Sequence, residues 1–333
     1  MYLKEEITMT LHLSRISAAV AAFAAVSLAL TACSGASTPS TSGDAGAPTE
    51  LEHVKVGVLP NIDVAAIYLG ESKGFFEEEG IDLELVQAAS GSAVVPAVVS
   101  GDLDFGFSNV AALLTASQKG LPLKAVSAGV YSTGESGNDI AATVAADGSD
   151  ISSIADLDGK NVAVTSLGGI FPLTIRYLSS QAGISVNLVE LGAADTPAAL
   201  ETGQVDAAVM SEPFLSQAKA DGAVEIFSNF ADMKDNFMVA AYFTTADYIG
   251  KNGETVEKLQ AALAKAFAYA NENPEEVRAI LSEYTELSDE VKANAVLPKF
   301  DTEVDIETLQ LLADLLLETG QVDAAVDVNA LLP

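Results

Sequence analysis

Cysteine, histidine and basic residues are all scarce in this 333-residue chain. The one cysteine is Cys33, so no disulfide can form within the chain and no metal site can be built from several cysteines. Only His12 and His53 could supply an imidazole, so a mechanism that needs a histidine base has almost nothing to use. Lys and Arg number 16 against 47 Asp and Glu, a net charge of −31. Because binding to phosphates needs clustered cations, this balance argues against a nucleic-acid partner. We also expect no metal site and no cofactor.

Apolar residues are plentiful. They make up 49% of the chain, and charged residues make up 19%, which favours a folded protein with a sizeable core over a disordered one. The length suggests about two domains.

The N-terminal segment is typical of an export signal. Residues 16–30 read ISAAVAAFAAVSLAL, an uncharged run too short to span a bilayer comfortably and suited to a signal peptide over residues 1–32. Translation could begin at Met1 or at Met9, because two glutamates stand where a signal is normally basic. Leu30, Thr31, Ala32 and Cys33 resemble the bacterial lipobox, so Cys33 is the predicted lipidation site. Residues 33–52, rich in Ser, Thr, Gly, Ala and Pro, are predicted to be a flexible tether to the cell membrane.

The rest of the chain alternates strand-like and helix-like segments, the pattern of an α/β protein with parallel strands. A turn-rich polar stretch, residues 131–139, separates two runs of this alternation. Residues 237–245 are strand-like, and the chain beyond them is mainly helical, without a further predicted strand. We expect these last helices to pack back on the first run. The predicted lobes are therefore residues 53–136 with 245–333, and residues 137–244, joined by two crossings.

An internal repeat supports two similar halves. Residues 101–107 read GDLDFGF and residues 203–209 read GQVDAAV; each has a glycine that ends a helix and an aspartate that leads into a strand. A further copy, GQVDAAV at 320–326, is interpreted as chance reuse of the same helix-stop signal.

Residues 54–114, VKVGVLPNIDVAAIYLGESKGFFEEEGIDLELVQAASGSAVVPAVVSGDLDFGFSNVAALL, resemble the substrate-binding proteins of ABC importers in the group that serves sulfonates, taurine, nitrate and thiamine-precursor pyrimidines. The resemblance continues through IADLDGKNVAVTSLGG and VDAAVMSEPF and covers most of residues 54–300. It implies the type II periplasmic-binding fold, two α/β lobes that close on a solute, and delivery of that solute to ABC permease subunits. It implies no catalysis.

Small and polar residues stand where the predicted parallel strands end, and ligands of open α/β sheets bind at that edge. The predicted ligand-binding residues are Asn61, Asp63, Ser90, Gly91, Ser92, Ser108, Asn109, Ser166, Gly168, Gly169, Glu212 and Pro213. The alternative for Ser92, Ser108 and Asp63 is helix capping, and for Glu212 a favourable charge in the first turn of a helix.

The ligand is expected to be neutral or cationic, such as a pyrimidine or an amine. None of these clusters contains Lys, Arg or His, and carboxylates in a dry cleft repel an anion. The second-lobe loop has Ser166, Leu167, Gly168 and Gly169, which lacks one hydroxyl of the sulfonate pattern. A sulfonate or taurine-type anion remains the alternative. Four aromatic residues could stack on a ring or simply pack in the core: Tyr131, Phe171, Phe214 and Phe237. Arg176 and His53 are interpreted as solvent-exposed.

Other classes of function fit less well. The pyrimidine-forming synthases of the thiamine branch have a Cys-rich motif and an active histidine, and Cys33 is the one cysteine here. Two-carboxylate hydrolysis could use Asp63 and Glu212. A purely structural or adhesive lipoprotein would have no closing cleft. We expect a monomeric, extracytoplasmic protein anchored through Cys33, on the periplasmic side of the membrane or on a Gram-positive cell surface.

Overall fold

The computed structural model describes residues 51–88 and 91–333. The predicted signal peptide, Cys33 and Ser90 therefore lie outside the described residues. In the described part the strands are β1 (Glu52–Val58), β2 (Ile81–Gln87), β3 (Phe105–Asn109), β4 (Leu123–Tyr131), β5 (Ala141–Ala145), β6 (Asn161–Val164), β7 (Asn187–Glu190), β8 (Ala207–Ser211), β9 (Val224–Ser228), β10 (Met238–Thr245) and β11 (Lys299–Phe300).

The helices alternate with these strands over most of the chain. They are α1 (Ala65–Ser72), α2 (Phe75–Glu78), α3 (Gly91–Ser100), α4 (Val110–Gln118), α5 (Ile170–Ala182), α6 (Thr196–Glu201), α7 (Phe214–Ala220), α8 (Ala246–Lys251), α9 (Gly253–Glu272), α10 (Pro274–Tyr284), α11 (Asp289–Asn294) and α12 (Ile306–Glu318). Short 3₁₀ helices occur at Ile62–Val64, Ile154–Leu157 and Val328–Leu331. None of the helices in these described ranges is both long and apolar enough to cross a membrane.

Two mixed sheets define two lobes. The first sheet has the order β11–β4–β10–β3–β1–β2, and the second has the order β7–β6–β8–β5–β9. Strands β2, β1 and β3 run parallel, as do β7, β6 and β8, while β10 and β5 are antiparallel to their neighbours. The predicted α/β architecture is therefore confirmed.

Strand β10 belongs to the first sheet, which moves a predicted boundary. It pairs with both β3 and β4, and seven of its eight residues are buried, as expected for a central strand. The chain thus returns from the second sheet between Ser228 and Met238, whereas the sequence interpretation assigned residues up to 244 to the second lobe. The sequence of β10 is mostly apolar, and nothing in such a run indicates which of the two sheets the strand joins.

The repeated Gly–x–x–Asp segments occupy equivalent places. Gly101 and Gly203 follow α3 and α6 with φ of 83° and 69°, the left-handed conformation that glycine adopts most easily. The Asp104 carboxylate accepts the backbone N–H of Lys55 at 2.8 Å, and the Asp206 carboxylate accepts that of Asn161 at 2.8 Å. Lys55 lies in β1 and Asn161 in β6, so each aspartate ties its own strand to the parallel neighbour. The two halves are built alike.

The C-terminal helices pack mainly on the first lobe, as predicted. Helix α9 contacts α1 and α2, α10 contacts α1, and α12 contacts α4 and also α5 of the second lobe. One difference is β11, a two-residue strand that pairs with β4 at the edge of the first sheet. Two residues are too few to show the alternation of a strand in the sequence.

Candidate functional site

A cavity of about 280 Å³ lies between the two sheets, at the carboxyl ends of β1, β3, β6 and β8. It is lined by Leu59, Asn61, Asp63, Phe107, Ser108, Asn109, Ile140, Thr165, Ile170, Phe171, Ser211, Glu212, Phe230, Val239 and Ala240. Both lobes contribute, so a molecule in the cavity would contact both. This is the edge at which α/β sheets bind ligands.

The first wall centres on Asn61 and Asp63. The Asn61 side-chain amide donates to Asp63 Oδ2 at 3.0 Å, and the hydroxyl of Tyr284 donates to the Asn61 backbone carbonyl at 3.0 Å. The ring of Tyr284 stacks on Tyr68 with centroids 3.9 Å apart, so helices α10 and α1 together fix the position of Asn61. The Asn61 Oδ1 atom is buried and has no hydrogen-bond partner in the part of the chain that the structure describes.

The environment of Asp63 disfavours its charged form. Burial raises its pKa to about 6, and the hydrogen bond from Asn61 only partly opposes this shift. Among the described residues Asp63 forms no ion pair. A buried carboxylate with a single donor retains capacity for a further donor from a ligand.

The sequence left open whether Ser108 and Asn109 cap a helix or contact a ligand, and the structure shows a different role for each. Asn109 is the N-cap of α4, and its Oδ1 accepts the backbone N–H of Ala112 at 3.0 Å. The capping alternative for Ser108 is therefore wrong. The Ser108 side chain is 1% exposed, and its hydroxyl has no hydrogen-bond partner among residues 51–88 and 91–333. Asp63 does not cap a helix either, because α1 begins after Val64 and has no side-chain cap.

The wall of the second lobe presents Glu212, which is 8% exposed. Its carboxylate accepts the hydroxyl of Ser216 at 2.8 Å and, more weakly, the Ser216 backbone N–H at 3.4 Å. Glu212 therefore interacts with the first turn of α7, as its structural alternative predicted. Burial is nevertheless the largest effect on this group and raises its pKa.

Four predicted site residues, Ser166, Gly168, Gly169 and Pro213, are not part of the cavity lining. Ser166 and Gly168 are exposed on the loop before α5, and Gly169 is the N-cap of that helix. The flanking residues Thr165 and Ile170 line the cavity instead. Pro213 is buried next to Glu212 and is likewise absent from the lining. Gly91 and Ser92 begin α3, and their side chains are not described.

Aromatic rings line one side of the cavity. Phe171 stacks on Phe230 with centroids 5.7 Å apart, and Phe230 stacks on Phe237 at 5.2 Å. Of the four aromatic candidates from the sequence, only Phe171 lines the cavity; Phe237 and Tyr131 are buried elsewhere, and Phe214 is 41% exposed. Phe107 and Phe230 were missed. Phe107 stands directly before the predicted site residue Ser108, a position that could have identified it.

Among the described residues, no lysine, arginine or histidine lines the cavity. Arg176 is exposed on α5, and His53 is exposed on β1, where it hydrogen-bonds Asp82 at 2.9 Å and Glu84 at 3.0 Å. Over residues 51–88 and 91–333, no group of three or more His, Cys, Asp or Glu side chains could hold a metal ion. The polar part of the lining is thus mainly hydrogen-bond acceptors and hydroxyls.

A buried carboxylate joins the two crossings between the lobes. Asp139 is 1% exposed and accepts the backbone N–H groups of Thr133 at 3.0 Å and Ala231 at 2.8 Å. It also accepts the hydroxyl of Ser132 at 2.8 Å. Residues 132–133 lie on the first crossing and Ala231 on the second, so Asp139 fixes the crossings relative to each other.

Comparison with known proteins agrees with this architecture. A Haemophilus influenzae protein named for thiamine biosynthesis is 28% identical over 65% of this chain and 68% of its own length. The crystal structure of the periplasmic aliphatic sulphonate binding protein SsuA from Escherichia coli superposes with a TM-score of 0.73 at 23% identity, covering 85% of this chain and 92% of that one. The periplasmic nitrate-binding protein NrtA from Synechocystis gives a TM-score of 0.67 at 18% identity, covering 84% and 85%.

These structures share the two-lobed periplasmic-binding-protein fold, as predicted. Residues 61–277, more than half of the chain, match the sequence profile of one family. The chain belongs to the family described as NMT1/THI5 like.

Proposed function

We propose that this protein is an extracytoplasmic solute-binding protein of an ABC importer, which captures a small neutral or cationic solute and releases it unchanged to the permease. The family and the two-lobed fold support the transport role, since the similar solved structures include periplasmic sulphonate-binding and nitrate-binding proteins. The cavity at the strand ends supports capture between the lobes. The anchor in this proposal is a lipid on Cys33.

The proposed ligand class rests on one observation: the described lining of the cavity contains hydrogen-bond acceptors but no cationic side chain. Asn61 Oδ1 is a buried acceptor with no partner, and Asp63 and Glu212 add two carboxylates. Because a buried polar atom without a partner is costly, the favoured ligand supplies N–H donors to these atoms. An anion would instead meet two carboxylates in a site with no positive side chain.

The ring of Phe171 favours a planar ligand. It lines the cavity together with Phe230, and an aromatic face beside acceptors suits a flat heterocycle that bears an amino group. The volume of about 280 Å³ suits a small molecule. An aminopyrimidine of the thiamine-precursor type meets these requirements, and a small amine meets them in part.

A sulfonate or taurine-type anion is the second candidate. The fold similarity to the sulphonate-binding protein favours it, and Ser108 offers one free hydroxyl. A cytosolic synthase is the weaker alternative from another class, because it needs a cysteine-rich motif.

The test is a thermal-shift screen of the purified protein. The panel contains 4-amino-2-methylpyrimidine, its 4-oxo analogue, simple amines, taurine, ethanesulfonate and nitrate. A ligand that binds only the native state raises the melting temperature. We expect stabilisation by an amino-bearing compound. Stabilisation by the anions alone would overturn the ligand class, and chemical conversion of a bound compound would overturn the transport role. Metabolic labelling with palmitate, lost in Cys33→Ala, tests the anchor.

A further inference from the structure

The segment of residues 294–297, which we call the strap, connects α11 to the edge strand of the first lobe. Arg278 holds it in place: Nη1 donates to the carbonyls of Lys292 and Ala295, each at 2.7 Å. Ala295 is fully buried. The strap is therefore a fixed part of the first lobe, and it lies beside the cavity wall of the second lobe.

Two side chains of the second lobe reach the strap. Ser216 Oγ lies 3.1 Å from the carbonyl oxygen of Asn294 and 2.8 Å from Glu212 Oε1. The backbone of Val296 lies near the Glu212 carboxylate and favours its ionised form. Glu212 thus lines the ligand cavity and also bridges the two lobes.

The Ser216 hydroxyl cannot satisfy both of its neighbours. It carries one proton, and both the Glu212 carboxylate and the Asn294 carbonyl are acceptors. A charged acceptor forms the stronger hydrogen bond, so an ionised Glu212 draws the proton away from Asn294. A protonated Glu212 can donate to Ser216, and an ionised Glu212 that accepts a hydrogen bond from a ligand competes less for the Ser216 proton. In both cases the Ser216 hydroxyl can donate to the Asn294 carbonyl and so form a hydrogen bond between the lobes.

We propose that Glu212 and Ser216 form a latch between the second lobe and the strap, and that this latch tightens when a hydrogen-bond donor on the bound solute takes up the charge of Glu212. The donor chemistry rests on the proposed function; the latch itself rests on contacts within the chain. Closure is then favoured by solutes that place an N–H group at Glu212.

The protein itself does little to neutralise the charge of Glu212, so a ligand can do so. Among the described residues Glu212 forms no ion pair. Lys219 on the same helix favours the ionised form, but its Nζ is bonded to Glu225 at 2.7 Å and to the Gly137 carbonyl at 2.9 Å. The strap itself has no ionisable side chain, and Lys292 beside it pairs with Asp289 at 2.8 Å. The other carboxylate in the cavity lining is that of Asp63.

The test measures the distance between the lobes without ligand. Spin labels on Glu77→Cys in α2 and Gln181→Cys in α5, both exposed positions, report one distance distribution by double electron–electron resonance when Cys33→Ala has removed the native thiol. Glu212→Gln is neutral and can donate to Ser216, which frees the Ser216 proton for the Asn294 carbonyl. We expect it to raise the ratio of closed to open molecules of the empty protein by about three- to tenfold, the effect of one gained hydrogen bond. A second substitution is then added to Glu212→Gln. Ser216→Ala removes the hydroxyl that donates to Asn294, so the double variant should return to the wild-type ratio. Gln217→Ala is the matched control, since its side chain bonds only Asp221 on the same exposed helix face.

Ser216→Thr separates the latch from a packing defect, because it keeps the hydroxyl and should restore closure. The latch is disproved if Ser216→Ala added to Glu212→Gln leaves the protein as closed as Gln217→Ala added to Glu212→Gln does. Its dependence on charge is disproved if Glu212→Gln alone closes no further than the wild type. Both outcomes are independent of the solute screen, so a failure of the proposed ligand class would be recognised separately.

Discussion

The hydroxyl of Ser108 provides the sharpest test of the site, because a binding role and a structural role predict opposite signs for the stability of the empty protein. Burying a hydroxyl without a partner costs about 1–3 kcal/mol. Ser108→Ala removes this cost and leaves a void of only one oxygen atom. We expect the free energy of unfolding of the empty protein to stay unchanged or to rise by up to about 1 kcal/mol. The affinity for the solute should fall about 2- to 10-fold, which corresponds to one neutral hydrogen bond of about 0.5–1.5 kcal/mol.

Urea unfolding of the empty protein and calorimetric titration with the solute measure the two quantities. Ser127→Ala is the matched control: Ser127 is also 1% exposed, but its hydroxyl donates to the Ala128 carbonyl at 2.7 Å. This control should lose about 0.5–1.5 kcal/mol of stability with no change in affinity. The reasoning fails if Ser108→Ala lowers stability as much as the control does, or if it leaves the affinity intact.

Three further predictions concern charge, hinge and packing. The pKa of Asp63 is raised to about 6 in the folded protein, so the folded state binds the extra proton and stability should decrease as the pH rises from about 4 to 6, by at most about 3 kcal/mol. Urea unfolding across this range should show a flatter profile for Asp63→Asn, and an equal slope would contradict the shift. Asp139→Ala leaves the N–H of Ala231 without its acceptor, together with donors of Ser132, Thr133 and Ile140, and should lower the free energy of unfolding by about 2–5 kcal/mol. A loss below about 1 kcal/mol would mean that other contacts hold the crossings together. Gly106→Ala would place a methyl group against Val94 and the ring of Phe243, and should lower the melting temperature at a cost of about 1–3 kcal/mol. An unchanged melting temperature would contradict the close packing of these side chains on Gly106.

The sequence was most informative where local chemistry determines local structure. The glycines at 101 and 203 and the aspartates that follow them predicted the equivalent strand entries, because a left-handed turn and a backbone acceptor are properties of a few neighbouring residues. The strand-end rule likewise brought Asn61, Asp63, Ser108, Asn109 and Glu212 to one cavity.

Contacts between distant segments were not accessible in this way. Nothing near Phe230 indicates that the chain crossing between the lobes brings it to the cavity. Ser166 has the expected residue type, yet it is exposed, on a loop where Leu167 donates its N–H to Glu190 of the neighbouring strand β7 at 2.8 Å. The strap lies about 80 residues from Glu212 in the sequence, and their contact depends on how the last helices pack.

The order of strands in the first sheet also has a consequence for how the newly synthesised chain folds. The second sheet is built from one continuous stretch, residues 141–228, and can form as soon as that stretch has emerged. The first sheet lacks its central strand β10 until residue 245 is synthesised, which leaves β3 and β4 without the partner that separates them. The lobe begun first is therefore completed last, and during that interval its two exposed strand edges are the part of the nascent chain most in need of a chaperone.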